Sequence, residues 1–371
     1  MAGSPPLFEL KPIEATDYPE MARFCADFPG DVWDQPTWLA RLRFWWEENP
    51  AFDEKWRRGW LMMDEGRIVG MLGEIPTLVR FFGEDRQVGN FSTWRVLEAY
   101  RGNGLKLLFR AVKLNRDLPM FTTTPTPKVA KIFSGFRFNN LTEHLDEQLY
   151  FCHLTPLVRR FAARMGPLHF LSGIPAILAR LLQWFFFVWA KPDPGGLTTG
   201  PARVWGEPGP AFDRLWQRTR DRYDVTNVRQ ADVLRWRLAL PLPEARIHLF
   251  GLPGPGGEVV GLARFMEEYP PAFPDERHLV CQDIWSEEAA GTVEMSAALL
   301  KAAVHFAKKE GISVVRIPHF QPHLARAGRR AGLFFHNQRV ASLYCKFPKA
   351  IQLKIVPEKI CLSGDMGDTG L

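Results

Sequence analysis

Residues 96–106, Val-Leu-Glu-Ala-Tyr-Arg-Gly-Asn-Gly-Leu-Lys, join the end of an apolar run to the start of an amphipathic helix through a turn with two glycines. Leu105, Leu108, Phe109 and Val112 recur at helical spacing, while Lys106, Arg110 and Lys113 take another face. Glycines at a strand-to-helix turn let consecutive backbone N–H groups converge without Cβ interference. The helix N-terminus adds partial positive charge. The turn therefore suits a phosphate or pyrophosphate, and Arg101 and Lys106 can add full charges.

The flanking pattern reads as strands and helices. Residues 7–13 form a first strand, and Thr16 to Asp27 and Gln35 to Glu48 form two helices, the first capped by Thr16 or Asp17. Gly59 to Met63, the Asp64-Glu65-Gly66 turn and Ile68 to Phe82 make a hairpin; Gly83-Glu84-Asp85 then turns the chain into a long strand that ends at the glycines. Pro119 to Thr124 is a strand, Lys128 to Phe133 a short helix, and Gly135-Phe136 precedes a last strand running into Leu149 to His153. Residues 203–347 repeat this plan weakly. There Phe212 to Tyr223 and Gln230 to Leu240 stand as the early helix pair, and Gly332-Leu333-Phe334 falls where the Gly-Phe recurs.

The turn resembles the acyl-CoA signature of the GNAT superfamily of N-acyltransferases. In that signature an Arg or Gln is followed by two residues, a Gly, one residue and a Gly or Ala, after a strand ending Val-x-Pro. Val96, Tyr100, Arg101, Gly102, Asn103 and Gly104 match it, whereas Glu98 stands where Pro is common and Lys106 where a small residue is usual. The element order and Gly135-Phe136 extend the resemblance over residues 7–152. It implies an α/β fold with mixed sheets (α+β in that sense), built as two tandem GNAT-like domains, the second degenerate. The implied boundaries are 1–153 for a domain with an acyl-CoA site, 154–202 for an apolar helical linker, 203–350 for the second domain and 351–371 for a tail. In the second copy no Arg-x-x-Gly-x-Gly occurs over Ser286 to Thr292, and Glu287, Glu288 and Glu294 would repel a pyrophosphate. Val228 to Pro241, with Arg235-Trp236-Arg237, and the Gly-Asp-rich Ser363 to Asp368 resemble segments of tandem GNAT-like proteins linked to bacterial polysaccharide or cell-envelope clusters. The two-domain plan is also similar to that of the Fem peptidyltransferases, which use aminoacyl-tRNA.

The resemblance further implies direct acyl transfer from acetyl-CoA or another acyl-CoA to an amine. Val96, Leu97, Arg101, Gly102, Asn103, Gly104, Leu105 and Lys106 would hold the CoA, with strand backbone near Val96 polarising the thioester. Attack by a neutral amine needs a general base, and Glu74, after Gly73 on a strand near the implied cleft, is the first choice. Ser92 and Thr93, on the strand leading to the turn, are candidate substrate contacts. The family often uses a Tyr on the short helix before Gly-Phe to reprotonate the thiolate. Lys131, Ile132 and Phe133 occupy that region here, so solvent or another group such as Tyr150 must serve.

A net charge of +6 and a pI near 9.1 favour an anionic partner, but no Lys/Arg run or aromatic RNA-binding box directs that charge to nucleic acid. The five cysteines are isolated and lack metal-ligand spacing, which reads as reduced core thiols of a cytoplasmic protein with no metal. His319 and His323 are four apart, but Pro318 and Pro322 oppose a single helix holding them as ligands. Residues 167–190 are strongly apolar, end in Trp184 to Trp189, and are interrupted by Pro175 and Arg180. Three readings stand for this segment: a membrane span, an interfacial helix on the inner face of the membrane, or a linker helix covering apolar surface on both domains. The resemblance thus points to an acyl-CoA-dependent N-acyltransferase whose acceptor is an amine, with a sugar or cell-envelope precursor as a candidate carrier. A Fem-like transferase and a non-catalytic scaffold at the membrane are the alternatives.

Overall fold

The computed structural model describes residues 8–123, 125–141, 146–153, 201–270, 275–287, 292–319, 321–332, 335–338, 343–356 and 359–364. The 167–190 segment, Glu288, Leu333-Phe334 and the tail from Asp365 lie outside them.

The first part of the chain follows the order read from its pattern. Strand β1 (Glu9–Pro12) precedes helices α1 (Tyr18–Ala26) and α2 (Gln35–Trp45). Asp34 starts α2 by accepting from the Thr37 N–H at 2.9 Å, with Pro36 in the first turn where its missing N–H costs nothing. Helix α1 is preceded by a 3₁₀ turn, Ala15–Asp17, in which the Asp17 carboxylate accepts from the Glu14 N–H at 2.9 Å. Strands β2 (Gly59–Asp64), β3 (Arg67–Phe81) and β4 (Glu84–Val96) form an antiparallel meander. Glu65-Gly66 and Phe82-Gly83 turn it through left-handed backbone. Helix α3 (Leu105–Leu114), β5 (Met120–Thr122), α4 (Pro127–Gly135), β6 (Asn139–Asn140) and β7 (Asp146–Phe151) follow.

Farther along are β8 (Arg203–Trp205), α5 (Pro210–Thr219), β9 (Val225–Asn227), α6 (Ala231–Leu238), β10 (Ile247–Pro253), β11 (Val259–Glu268) and β12 (His278–Ser286). Then come α7 (Thr292–Lys309), β13 (Val314–Pro318), α8 (Pro322–Arg330), β14 (Phe335–Gln338), β15 (Tyr344–Lys346), α9 (Lys349–Gln352) and β16 (Ile360–Cys361).

Two mixed sheets result, and they share one succession of pairings. In the first, β1-β2-β3-β4 are antiparallel, β5 lies parallel to β4, and β15 and β6 follow antiparallel. In the second, β8-β10-β11-β12 are antiparallel, β13 lies parallel to β12, and β7 and β14 follow antiparallel. The strand after the parallel pair is exchanged in each case: β15 enters the first sheet from the far end of the chain, and β7 enters the second from the near half.

The compact units are accordingly discontinuous. One comprises 1–143, 220–245 and 341–371; the other comprises 144–219 and 246–340. Boundaries drawn continuously along the chain at 153 and 203 do not follow the sheets. Side-chain chemistry accounts for the exchange. Glu147 on β7 is buried and takes two-pronged hydrogen bonds from Arg316 on β13 at 3.0–3.2 Å. Cys345 on β15 is buried among Phe81, Val88, Phe121 and Phe347 of the first unit. The two helices read as a pair also part company. Helix α5 buries Phe212, Leu215 and Trp216 in the second unit, whereas α6 belongs to the first. There Trp236 stacks on Phe44 at 4.9 Å and its indole N–H donates to the Phe44 carbonyl at 2.9 Å.

In the first unit one cluster gathers α1, α2 and β3, and a second gathers α3, α4, β2 and β4. The second unit has its own cluster, built on β10–β13 with α7 and α8. All five cysteines are buried thiols.

Close packing in the second unit yields a test. Gln148 on β7 is fully buried and donates to the Ala325 carbonyl of α8 at 3.2 Å. A Cβ on Gly328 would overlap its Oε1 and stand 2.9 Å from its Cδ. Gly328→Ala should destabilise the protein by about 1–3 kcal/mol, measured by denaturant unfolding. The double variant with Gln148→Ala should not show the sum of the two single losses. Simple additivity would mean that the two residues do not share this contact.

Candidate functional site

Strand β4 stays beside β5 for only two residue pairs, Gly89 with Met120 and Asn90 with Phe121. Beyond Asn90, β4 runs on to Val96 without β5, which ends at Thr122 and pairs with β15 on its other side along its whole length. A bulge marks the parting. Ser92 lies opposite Gly73 and Arg95 opposite Met71, so Thr93 and Trp94 together face Leu72. Thr93 has φ +53°, rare for a β-branched residue. A bulge bends its strand and re-aims the adjoining groups. Among the described residues β5 does not extend along this stretch, which adjoins an apolar layer of Phe91, Trp94, Val96 and Phe133. Ser92 and Thr93 lie at the bend itself, their hydroxyls 3.2 Å apart.

The glycine turn follows at once. Leu97 donates to the Val69 carbonyl at 2.9 Å, and Glu98–Asn103 form a 3₁₀ helix leading directly into α3. The Tyr100 hydroxyl donates to Asp64 and ties this segment to the β2–β3 hairpin. The Gly104 N–H donates to the Arg101 carbonyl at 3.2 Å, and its φ of −54° is open to any residue. Gly104 is needed for proximity instead: a Cβ there would lie 3.2 Å from Val96 Cγ2 and 3.4 Å from the Arg101 carbonyl. A Cβ on Gly102 would meet nothing within 4 Å. The turn is therefore more helical than the looped bend its sequence suggests.

Arg101 pairs with Glu98 at 3.5 Å, and Asn103 closes the 3₁₀ turn. The Lys106 ammonium sits 4.6 Å over the Phe8 ring. The apolar stripe is also rotated from its expected position. Helix α3 buries Leu107, Leu108, Ala111 and Val112, leaving Leu105 and Phe109 exposed.

Glu74 lies on β3 opposite Phe91. Its carboxylate is buried, and both oxygens accept from Asn115 Nδ2, at 2.7 and 2.8 Å. Gly89 makes room for it, because a Cβ there would stand 2.8 Å from Oε1. Burial pushes the Glu74 carboxyl up to about 7, against the opposing pull of Asn115 and, more weakly, Arg57. Its backbone is fixed as well, the Trp46 and Trp56 indoles each donating to its carbonyl at 3.1 Å. Sequence reasoning missed Asn115. The only signal was an asparagine just after the last helical residue, a position where Asn commonly ends a helix.

Tyr150 is not brought to this sheet. It lies on β7 in the second unit, opposite Val315, with the Lys308 ammonium 4.9 Å from its ring centre. Burial pushes its hydroxyl up to about 12. At the α4 position where a Tyr was sought, Phe133 is buried against Phe91, Trp94 and Phe138.

The second sheet has its own bulge. Arg264 faces Asp283 and Phe265 faces Cys281, with Gln282 between them. The two described acids read as repelling a pyrophosphate are engaged in ion pairs, Glu287 with Arg218 and Glu294 with Arg330. Among the described residues, no three His, Cys, Asp or Glu side chains are placed to hold a metal ion. No described helix is long and apolar enough to cross a membrane.

No protein-family model and no curated protein matches this sequence. Solved structures do match in shape. Saccharomyces cerevisiae N-myristoyltransferase with bound myristoyl-CoA aligns over 94% of this chain and 86% of its own, at 12% identity and a TM-score of 0.54. A GCN5-related N-acetyltransferase from Anabaena variabilis aligns over 93% and 74%, at 10% identity and a TM-score of 0.57. An Enterococcus faecalis protein described as a probable N-acyltransferase aligns over 92% and 73%, at 8% identity and a TM-score of 0.55. Identities this low speak to architecture alone, and on that ground the chain has the fold of the GNAT-type acyl-CoA N-acyltransferases.

Proposed function

We propose that this protein transfers an acyl group from acyl-CoA to an amine. The observation that carries the reading is the parting of β4 from β5 at the Thr93 bulge, immediately before the turn into α3. In this reading the amides of the CoA arm pair with the backbone of β4 between Thr93 and Val96. The pyrophosphate lies at the N-terminus of α3, flanked by Arg101 and Lys106. Backbone N–H groups at the bulge stabilise the developing oxyanion.

The amine nitrogen forms its bond to the thioester carbon, the C–S bond breaks, and CoA leaves as a thiolate. Glu74 takes the amine proton through water, its carboxyl near 7 being suited to a base at neutral pH. Solvent returns a proton to the thiolate. The shared succession of pairings supports two GNAT-like copies, with CoA confined to the first, the copy that carries the glycine turn. An acceptor on a sugar or cell-envelope precursor, a cytoplasmic location and contact with the membrane through 167–190 belong to the same proposal.

Gly104→Val should abolish acyl-CoA binding in calorimetry, because its branched side chain must enter the space held by Val96. Arg101→Ala should weaken binding by only about 1 kcal/mol or less, since the arginine is exposed and backbone donors remain. Unchanged affinity in Gly104→Val would place the CoA elsewhere.

Glu74→Gln should lower kcat/KM by roughly 10²–10⁴-fold and remove the limb of the pH profile that rises toward 7. The same carboxyl sets a stability slope. It holds its proton more tightly folded than unfolded, so its contribution is complete below pH 4.5 and is lost as pH rises through about 7. Wild-type melting temperature should therefore fall over that window, and Glu74→Gln should flatten the fall. A variant that melts in parallel with wild type at every pH would show that Glu74 does not titrate there.

A further inference from the structure

We infer that the outer face of α3 docks on an anionic lipid bilayer. The helix turns two large apolar side chains to solvent one turn apart, Leu105 at 47% and Phe109 at 60% exposure. Residues at this spacing lie side by side on a helix surface. Beside them on the next face are Lys106, Arg110 and Lys113, which make no ion pair among the described residues. Lys106 and Arg110 keep their cationic ends over the Phe8 and Trp60 rings, at 4.6 and 4.8 Å. Glu98 pairs with Arg101 and Asp117 with Arg116. The surface therefore joins an apolar ridge to an unbalanced basic strip, while Leu107, Leu108, Ala111 and Val112 anchor the helix in the core.

A bilayer fits this combination better than a protein. Two apolar side chains and three cations fall well short of the roughly 800 Å² per partner that a stable protein interface buries. They suit a helix lying on a membrane, whose apolar side chains enter the boundary between headgroups and acyl chains while its cations remain among the anionic headgroups. Each such cation strengthens the contact by roughly fivefold near a charged membrane surface. The inference stands whether or not the turn ahead of the helix holds CoA, since Arg110 and Lys113 remain for the bilayer when Lys106 flanks the pyrophosphate.

The test is co-sedimentation of the full chain with phosphatidylcholine vesicles, alone or with about 30% phosphatidylserine, at low and high salt. Binding should require phosphatidylserine and weaken as salt rises. Phe109→Ser and Lys113→Glu should each lower the partition at least fivefold, with unchanged melting temperature and acyl-CoA affinity. The inference is overturned if wild type shows no preference for phosphatidylserine, or if both variants bind as wild type does. It also fails if Phe109→Ser instead lowers acyl-CoA affinity, which assigns the ring to the nucleotide, or dissolves a dimer, which assigns the face to a second copy.

Discussion

Thr93 is held in left-handed backbone, and the architecture around the candidate site depends on that constraint. A β-branched residue there costs about 1–3 kcal/mol, which the paired length of the β3–β4 hairpin must offset. That length is available: Arg67–Phe81 against Glu84–Val96 is the longest antiparallel ladder of the first sheet. In exchange the extra residue makes the end of β4 depart from a regular ladder just past its pairing with β5. The same departure directs the chain into the 3₁₀ turn and fixes where α3 begins.

The exchange of strands between the two sheets rests on charge more than on shape. Any short apolar strand can extend an antiparallel edge, so pairing alone is a weak guide to which sheet a strand joins. Glu147 is different. Its buried carboxylate is matched by Arg316, which also reaches Glu268 at 3.4 Å. Removing one member of a buried pair costs about 3–5 kcal/mol, so β7 in the first sheet would leave Glu147 without Arg316. The first sheet uses a comparable device at its own edge. There the buried guanidinium of Arg80 is held by Asp85 at 2.6 Å and by Asp221 at 2.7 Å, bringing a distant segment alongside β3.

Local pattern and long-range partnership differ in how far a sequence exposes them. The hairpin about Glu65-Gly66, the long strands around Gly83 and the passage from Val96 into α3 are written in turn chemistry and periodicity, which act within a few residues. The destination of β7, of α6 and of β15 is not, because it is decided by Arg316, Phe44 and Phe121, each remote in sequence. The orientation of α3 is hidden from the sequence for a related reason. Leu105, Leu107, Leu108, Phe109 and Val112 supply more apolar positions than one face can bury, and packing against β2 and β4 chooses Leu107 and Leu108 over Leu105 and Phe109. Glu74 could be singled out by its place after Gly73, but Asn115 could not, since only the folded chain brings the end of α3 over β3.

That last pairing bears on what Glu74 is for. A carboxylate kept solely to join α3 to β3 would be a poor choice, because burying it ionised is costly and an apolar side chain of similar size would serve as well. Asn115 offers two amide hydrogens, one for each oxygen, enough to hold the group in place but too few to compensate its desolvation fully. The balance leaves the carboxyl near 7, where a small change in its surroundings shifts the proton either way. Gly89 completes the arrangement by giving up its own side chain so that the carboxylate can lie against β4. Two neighbours thus constrain the position of Glu74 while neither locks its charge, the combination that the base proposed here requires.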